Sequence, residues 1–550
     1  MAANFSSAAG VVFAGSDTVR IGLGLAFATY IAFGGAALVY ALLAKNRALN
    51  SSTDFFITAR NSANLWTITW SWFASAMGSW ILYTCAFVAP GSNFGINGLV
   101  IMGLFTGLAL PIVAHMGDYV RKHVPKASSV TSFARWRFGK AVQILMMVQI
   151  LQILLFGVLS EYTTIGGIFS TFFGIPPYVP VIVCGVIVMI YTTVGGFYIS
   201  MITDIWQSVL AIVMLTITFI YLCTTYKGVS LGPLPDYLAV TTQGWQSFAT
   251  IGIPYVCLTF FTEGAWQRVW AAENARVGKI GAWIACAMLT VVTFVLGFGG
   301  TMAYWSGRAD ENSNPNLAFF LGFSDPDQSR SANAAITIFV IMFAVAMNEA
   351  AIDTTLNAVT DTITNIATVF NKQFPLWIVR CIVIAVQVPM VVAASYCAAN
   401  NINILNIFLF GNQMASILFI PIAAGMIPQL HRVISTFSVL MACLCTLLSV
   451  LGFGISQHGT LYDGFVAYFW SAAYQWQPFV LAPCTALLFL GFWTCVDLGV
   501  RKAMGWEMPD LPLESRLEID VTTRKVKGEL EMGAQDETEV ADEEFKTVSE

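Results

Sequence analysis

Apolar residues dominate this chain in runs of roughly 17–28, far longer than the helices of a soluble core, and short polar connections separate them. The runs predict membrane-spanning helices over 20–43, 64–89, 97–116, 141–168, 178–194, 202–224, 247–264, 279–304, 332–358, 376–398, 402–427, 433–455 and 478–499. That makes about thirteen spans, each near the twenty residues a bilayer crossing needs. One connection is unusual: YTTVGGFYISMITDIWQ (191–207) sets a Gly-Gly break and an acid between two apolar runs. Lipid supplies no hydrogen bonds, so irregular backbone survives only at a membrane edge or beside a polar cavity.

Two other spans read as interrupted. In the first, small residues lie between tryptophans: Trp72-Phe73-Ala74-Ser75-Ala76-Met77-Gly78-Ser79-Trp80. In the second, Ile251-Gly252-Ile253-Pro254-Tyr255 precedes Thr259, Thr262, Glu263 and Gly264. They fall five helices apart. Paired interruptions at that spacing point to a five-plus-five inverted repeat with one extra helix in front, although small residues also serve simple close packing. The expected class is all-α and polytopic. Residues 1–19 form an external N-terminus, 20–500 a transmembrane domain with core repeats near 64–225 and 247–427, and 501–550 a solvated tail.

Composition sharpens this picture. Of 550 residues, 57% are hydrophobic and 10% charged, against about 25% charged in soluble domains. Nearly half of the acids fall after residue 504, so the tail reads as acidic and disordered, with Thr538, Thr547 and Ser549 as candidate phosphorylation sites. Basic residues are asymmetric. Lys45, Arg47, Arg60, Arg121, Lys122, Lys126, Arg135, Arg137, Lys140, Arg268, Arg276, Lys279, Lys372, Arg432, Arg501 and Lys502 occupy one set of connections. The alternate set holds Arg20, Lys227, Arg308 and Arg330. By the positive-inside rule the N-terminus is outside and the C-terminus cytoplasmic, with the plasma membrane as the expected location. Trp66, Trp136, Trp206, Trp266 and Trp270 are expected as interfacial anchors. Asn4-Phe5-Ser6 is a glycosylation sequon on an external terminus. The eleven cysteines show no ligand or CxxC pattern and read as small apolar residues.

Several classes drop out. No GxxxxGK[ST] loop supports ATP-driven pumping, and no TVGYG-like filter is visible. His115, His123, His431 and His458 are dispersed, so an enzyme is not expected, nor are a resident cofactor, a structural metal or a nucleic-acid partner. The expected partners are the bilayer and a small solute; the sequence leaves the oligomeric state open.

Ionisable residues inside apolar runs cost several kcal/mol and mark function or structural pairing. Glu161 lies in LLFGVLSEYTT, and Glu349 and Asp353 lie four residues apart on one helical face. Two such carboxyls can share a proton or pair with neighbouring helices. Asp204 follows the Gly-Gly break, where a helix-dipole role is the alternative. Asp361 is expected at the inner membrane edge.

These motifs resemble the sodium:solute symporter family. The similar elements are Asp54-Phe55-Phe56-Ile57-Thr58-Ala59-Arg60, the bend at 73–80, Tyr191-Thr192-Thr193-Val194-Gly195-Gly196 with Thr203-Asp204 and Gln207, Gln267-Arg268-Val269-Trp270-Ala271-Ala272, and Leu356-Asn357-Ala358. They run in order over roughly 50–430. The resemblance implies a leucine-transporter-like fold, alternating access and cation-coupled import of a small polar organic solute: urea, an amino acid such as proline, or a polyamine. It also implies a sodium site between the first and eighth core helices. Its backbone positions fall at Ala74, Met77 and Met347, and its two hydroxyl positions at Ala350 and Ala351, which have no side-chain oxygen. Ala76 and Ile199 are further departures. Asn348, Glu349, Asp353 and Thr354 crowd the same turn, so the coupling cation is sodium through substitute ligands, or a proton carried by Glu349 and Asp353, or absent. The coupling set is thus Ala74, Met77, Met347, Ala350, Ala351, Glu349, Asp353 and Asp204. For the substrate, Ser75, Ser79, Trp80, Glu161, Tyr162, Tyr255, Thr259, Phe260 and Glu263 are the candidates. Glu161 favours a cationic or zwitterionic solute. The rival readings are a transporter-like solute sensor, an uncoupled facilitator and a channel.

Overall fold

The computed structural model describes residues 16–44 and 52–511, apart from 92, 126, 311–312, 314, 324–329, 371, 401–403 and 471–474. The sequon, Lys45, Arg47, Lys126, the acidic tail beyond 511 and its three hydroxyl sites lie outside these residues, and the side chain of Arg330 is likewise not described. The described chain is helical, with a single isolated bridge joining Ala63 to Ala272.

The helices are α1 (Ser16–Leu43), α2 (Thr53–Thr58), α3 (Leu65–Ala76), α4 (Trp80–Gly91), α5 (Gly95–His123), α6 (Val130–Phe138), α7 (Lys140–Phe173) and α8 (Tyr178–Thr225). They continue as α9 (Thr242–Phe260), α10 (Glu263–Ala271), α11 (Ala275–Trp305), α12 (Arg330–Val369), α13 (Leu376–Ala399), α14 (Ile404–Ala423), α15 (Thr436–His458) and α16 (Gln477–Met504). Among the described residues nine helices are long and apolar enough to cross a membrane, and α3–α4 and α9–α10 add two broken spans bent by 59° and 54°. Thirteen is reached only by also dividing α8 and counting the shorter apolar helix Phe410–Met426.

The breaks have local causes. At the first, Met77 is extended (φ −93°, ψ 125°), and its N–H turns back to the carbonyls of Phe73 and Ala74. At the second, Phe261 and Thr262 leave the helix before Glu263 opens α10. In α8 the break is Gly196, with φ 59° and ψ −160°, a region essentially reserved for glycine. A side chain there would also strike the Phe56 carbonyl oxygen, 2.6 Å from an added Cβ.

Packing around the extra helix follows from small residues. Gly34 lets α1 meet Ile187 of α8 and Glu349 of α12. The basic end is tied across the two repeats. Asn61 N–H donates to Trp270 O (3.1 Å), Ala63 N–H to Ala271 O (3.0 Å) and Glu273 N–H to Ala63 O (2.9 Å). Arg121 donates to Val269 O and Ala272 O, and Arg60 forks onto Asp54. Three expected anchors are corrected here: Trp266 and Trp270 stack on each other in the core, and Trp136 is buried against Phe133 and His431, whereas Trp66 and Trp206 are exposed. Four cysteines, Cys223, Cys381, Cys484 and Cys495, are on the protein surface rather than buried.

Candidate functional site

The break between α3 and α4 carries the first polar cluster. Removing one turn frees the Ser79 N–H, and it donates to Glu161 Oε2 of α7 at 2.9 Å. Ser79 Oγ donates to the same oxygen at 2.7 Å, and Asn348 Nδ2 at 3.1 Å. Asn348 is itself held from α1, where Tyr30 OH donates to its Oδ1 at 2.9 Å. Glu161 Oε1 has no side-chain hydrogen-bond partner among the described residues and packs over Gly78, where a Cβ would fall 1.8 Å away. Only glycine lets the carboxylate lie against the helix break.

Tyr162, next to Glu161, is buried and bonded to Gln387, and Ser75 and Trp80 keep partial exposure beside the break. Tyr255, Thr259 and Phe260 are not brought into this cluster: Tyr255 and Thr259 are partly exposed on α9, and Phe260 is buried against Trp266 and Phe419. Thus Ser79 and Glu161 are brought together, with Tyr162 adjacent in sequence. Glu263 is not part of this cluster. Its carboxylate accepts from Ser129 Oγ (2.9 Å) and Val130 N–H (3.4 Å) at the start of α6 and lies against Asp361.

The coupling set separates into distinct environments. Asp353 Oδ1 accepts from Thr192 Oγ1 and Asn357 Nδ2, both at 2.9 Å. Glu349 is fully buried, and neither oxygen has a donor among the described residues. Asp204 pairs with Arg268 at 2.9 Å, both side chains fully buried, and also accepts from Ser71 Oγ at 2.7 Å. Arg268 is completed by Ser71 O, Gly264 O and Thr354 Oγ1. Asp204 therefore serves a salt bridge, and Thr354, one turn beyond Ala350 and Ala351, is already committed to the guanidinium. Ala74, Met77, Met347, Ala350 and Ala351 are all buried.

Sequence reasoning missed Tyr30 and Arg268 as members of these clusters. Tyr30 was signalled only by its hydroxyl inside an apolar span, and Arg268 only by a cation within a family motif. At the basic end, α6 is fastened by Arg137, whose Nη2 donates to Leu430 O, His431 O and Ile434 O. Burial pulls the Arg137 pKa down to about 10. His431 lies 3.1 Å from both Tyr119 OH and Gly425 O, and burial followed by the Arg137 charge holds its imidazole pKa below the ordinary value. No group of three or more potential metal ligands occurs among the described residues.

Residues 55–304 match the model of the sodium:solute symporter family. The chain is 27% identical over 449 residues to the spermidine transporter DUR31 of Candida albicans (strain SC5314 / ATCC MYA-2876), covering 79% of this chain and 82% of that protein. Its fold is similar to that of a Na+-coupled sialic acid symporter in a substrate-bound outward-open state, with TM-score 0.62 and 16% identity over 84% and 98% of the two chains. It is also similar to Mhp1, a nucleobase-cation-symport-1 family transporter, in a closed conformation (TM-score 0.50, 14% identity, 81% and 94% covered). The chain therefore resembles the sodium:solute symporter family by sequence over residues 55–304 and shares the leucine-transporter-like fold of sodium-coupled symporters over most of its length.

Proposed function

We propose that this protein is a secondary transporter that imports a polyamine-like organic cation across the plasma membrane. The observation that carries this reading is Glu161. It is a buried carboxylate at the break of the first core helix, with Oε2 held by Ser79 and Asn348, the Trp80 N–H also directed at the carboxyl, and Oε1 without a side-chain hydrogen-bond partner among the described residues. No Lys or Arg among the described residues is hydrogen-bonded or ion-paired to it. An ammonium is the complement such an oxygen takes, and burial makes the pairing strong. The 27% identical relative named a spermidine transporter supports the same solute class over urea or proline.

The same reading makes the proton the coupling cation. Ala350 and Ala351 offer no hydroxyl, Thr354 is bound to Arg268, and a dehydrated sodium ion needs oxygen ligands. Glu349 and Asp353 supply carboxyls to carry a proton instead. The orientation follows the positive-inside asymmetry, which makes the end bearing Arg60, Arg121 and Arg137 cytoplasmic.

The test is uptake and counterflow of labelled spermidine in proteoliposomes, with imposed pH or sodium gradients and with proline and urea as competitors. Saturable spermidine counterflow, lost in Glu161→Gln and driven by a pH gradient without sodium, is the expected result. No spermidine flux, or full flux in Glu161→Gln, rejects the solute assignment. Accumulation that requires sodium rejects proton coupling.

A further inference from the structure

Glu263 and Asp361 form a second buried carboxyl pair, apart from the Glu161 cluster. Glu263 opens α10 just after the second helix break, and Asp361 lies on α12 toward the basic end. Both side chains are fully buried. Glu263 Oε2 accepts from Ser129 Oγ, which is also the N-cap of α6. Asp361 Oδ1 accepts from Asn365 Nδ2 at 2.6 Å. Asp361 Oδ2 has no hydrogen-bond partner among the described residues. The start of α6 brings the two carboxyls close: Ser129 bonds Glu263, and the adjacent Ser128 Oγ lies 3.1 Å from Oδ1 of Asn365, the residue that bonds Asp361.

Two carboxyl oxygens in contact repel unless a proton lies between them. Among the described residues no Lys or Arg is hydrogen-bonded or ion-paired to either carboxyl. From α2 the charged neighbour is Asp54, another acid, and it is occupied by Arg60. On α10 the guanidinium of Arg268 is committed to Asp204 and Thr354. From α6, Arg135 donates to Thr368 O and Arg137 to the 430–434 segment. Along α12 the nearest acid is Asp353, which is bound to Thr192 and Asn357.

We propose that Glu263 and Asp361 share one proton and form the release site for the coupling proton at the basic end of the bundle. This rests on the transport reading above. With the proton in place, the pair joins α10 to α12, and Ser129 joins α10 to α6. Release passes one proton to water at that end and leaves two facing carboxylates. Their repulsion parts α10 from α12, the movement that opens the substrate path on this side.

The decisive measurement is infrared difference spectroscopy on the purified full-length protein across a pH titration, together with spermidine counterflow and pH-driven accumulation in proteoliposomes. The wild type is expected to show a protonated-carboxyl carbonyl band that disappears in both Glu263→Gln and Asp361→Asn. These variants retain amide donors in the contact. They are expected to keep counterflow within about threefold of wild type and to lose pH-driven accumulation by tenfold or more. Ser129→Ala keeps both acids and removes the hydroxyl bond to Glu263 together with the cap on Thr131 N–H, so it is expected to shift the frequency of the same band. A band unchanged in all three variants, or gradient-driven accumulation intact in Asp361→Asn, overturns the proposal. Absence of wild-type spermidine counterflow rejects the transport reading instead, while the infrared result still decides whether the pair holds a proton.

Discussion

Replacing Gly78 by alanine is the sharpest perturbation of the Glu161 cluster, because it adds one methyl group and no charge. The new Cβ would sit 1.8 Å from Glu161 Oε1 and 2.6 Å from its Cδ, where ordinary contact begins near 3.4 Å. Trp80 closes the other side at 2.7 Å. The carboxylate must therefore retreat by roughly 1.5 Å. Its bonds to Ser79 N, Ser79 Oγ and Asn348 Nδ2 now measure 2.9, 2.7 and 3.1 Å. A retreat of that size takes them past the distance at which such bonds count. Bonds to a charged group are worth about 1.5–3 kcal/mol each. Losing even one or two without replacement costs about 3 kcal/mol, or ~100-fold in solute affinity if Glu161 holds the ammonium. Spermidine KM in proteoliposomes is the assay, with detergent-stable, monodisperse protein as the folding check. Gly157→Ala on the same helix as Glu161 is the control, since nothing lies within 4 Å of its added Cβ. A Gly78→Ala protein with KM within twofold of wild type would refute the argument that the helix break exists to seat this carboxylate.

Other outcomes follow from the same geometry. Gly196→Ala forces a side chain into the φ 59°, ψ −160° region and against Phe56 O, at a cost of at least about 1–3 kcal/mol; an unchanged unfolding temperature would contradict it. Arg268→Ala strands a fully buried Asp204 and is expected to destabilise by about 3–5 kcal/mol, with Asp204→Asn in the same background recovering part of the loss. If the double variant is no more stable than the single one, the pair is not the cause. His431 has a depressed pKa in the fold, so its contribution is fully present above the ordinary imidazole value and is lost as pH falls through that value toward the folded one. Thermal unfolding is therefore expected to soften below pH ~6.5, less steeply in His431→Gln; identical slopes would exclude His431 as a source.

Much of this architecture was legible because breaks in apolar sequence have few causes. Gly78 and Gly195-Gly196 are visible as punctuation, and the structure breaks the helix beside each; the Ile251–Tyr255 segment instead runs inside α9, and the second bend comes later, at Phe261–Thr262. The clusters were less legible, since their members are remote in sequence. Asn348 lies 187 residues from Glu161, and Glu263 meets Ser129 across 134 residues. Composition could place Glu263 in an interrupted helix but not say which way that helix tilts. Trp266 and Trp270 misled for a related reason: tryptophan near a span end looks interfacial, yet α10 runs inside the bundle and stacks both rings there.

The charge balance of the interior ties these clusters together. In the helices between residues 65 and 369, six acids, Glu161, Asp204, Glu263, Glu349, Asp353 and Asp361, are buried against two described buried cations, Arg268 and Arg137, the latter bonded to backbone carbonyls at the basic end. Arg268 answers Asp204 directly. Donors partly satisfy Glu161, Asp353 and Glu263, but Glu349 has none among the described residues. Hydrogen bonds alone do not offset the cost of burying so many anions, so the bundle needs positive charge from outside its own sequence. Protons and an organic cation are the forms of that charge a carrier can take up on one side and give back on the other. A solute with no positive charge would leave the Glu161 site as unbalanced when filled as when empty. Spermidine uptake that survives Glu161→Gln, or a preference for urea over spermidine, would break this link between the anionic interior and the cargo.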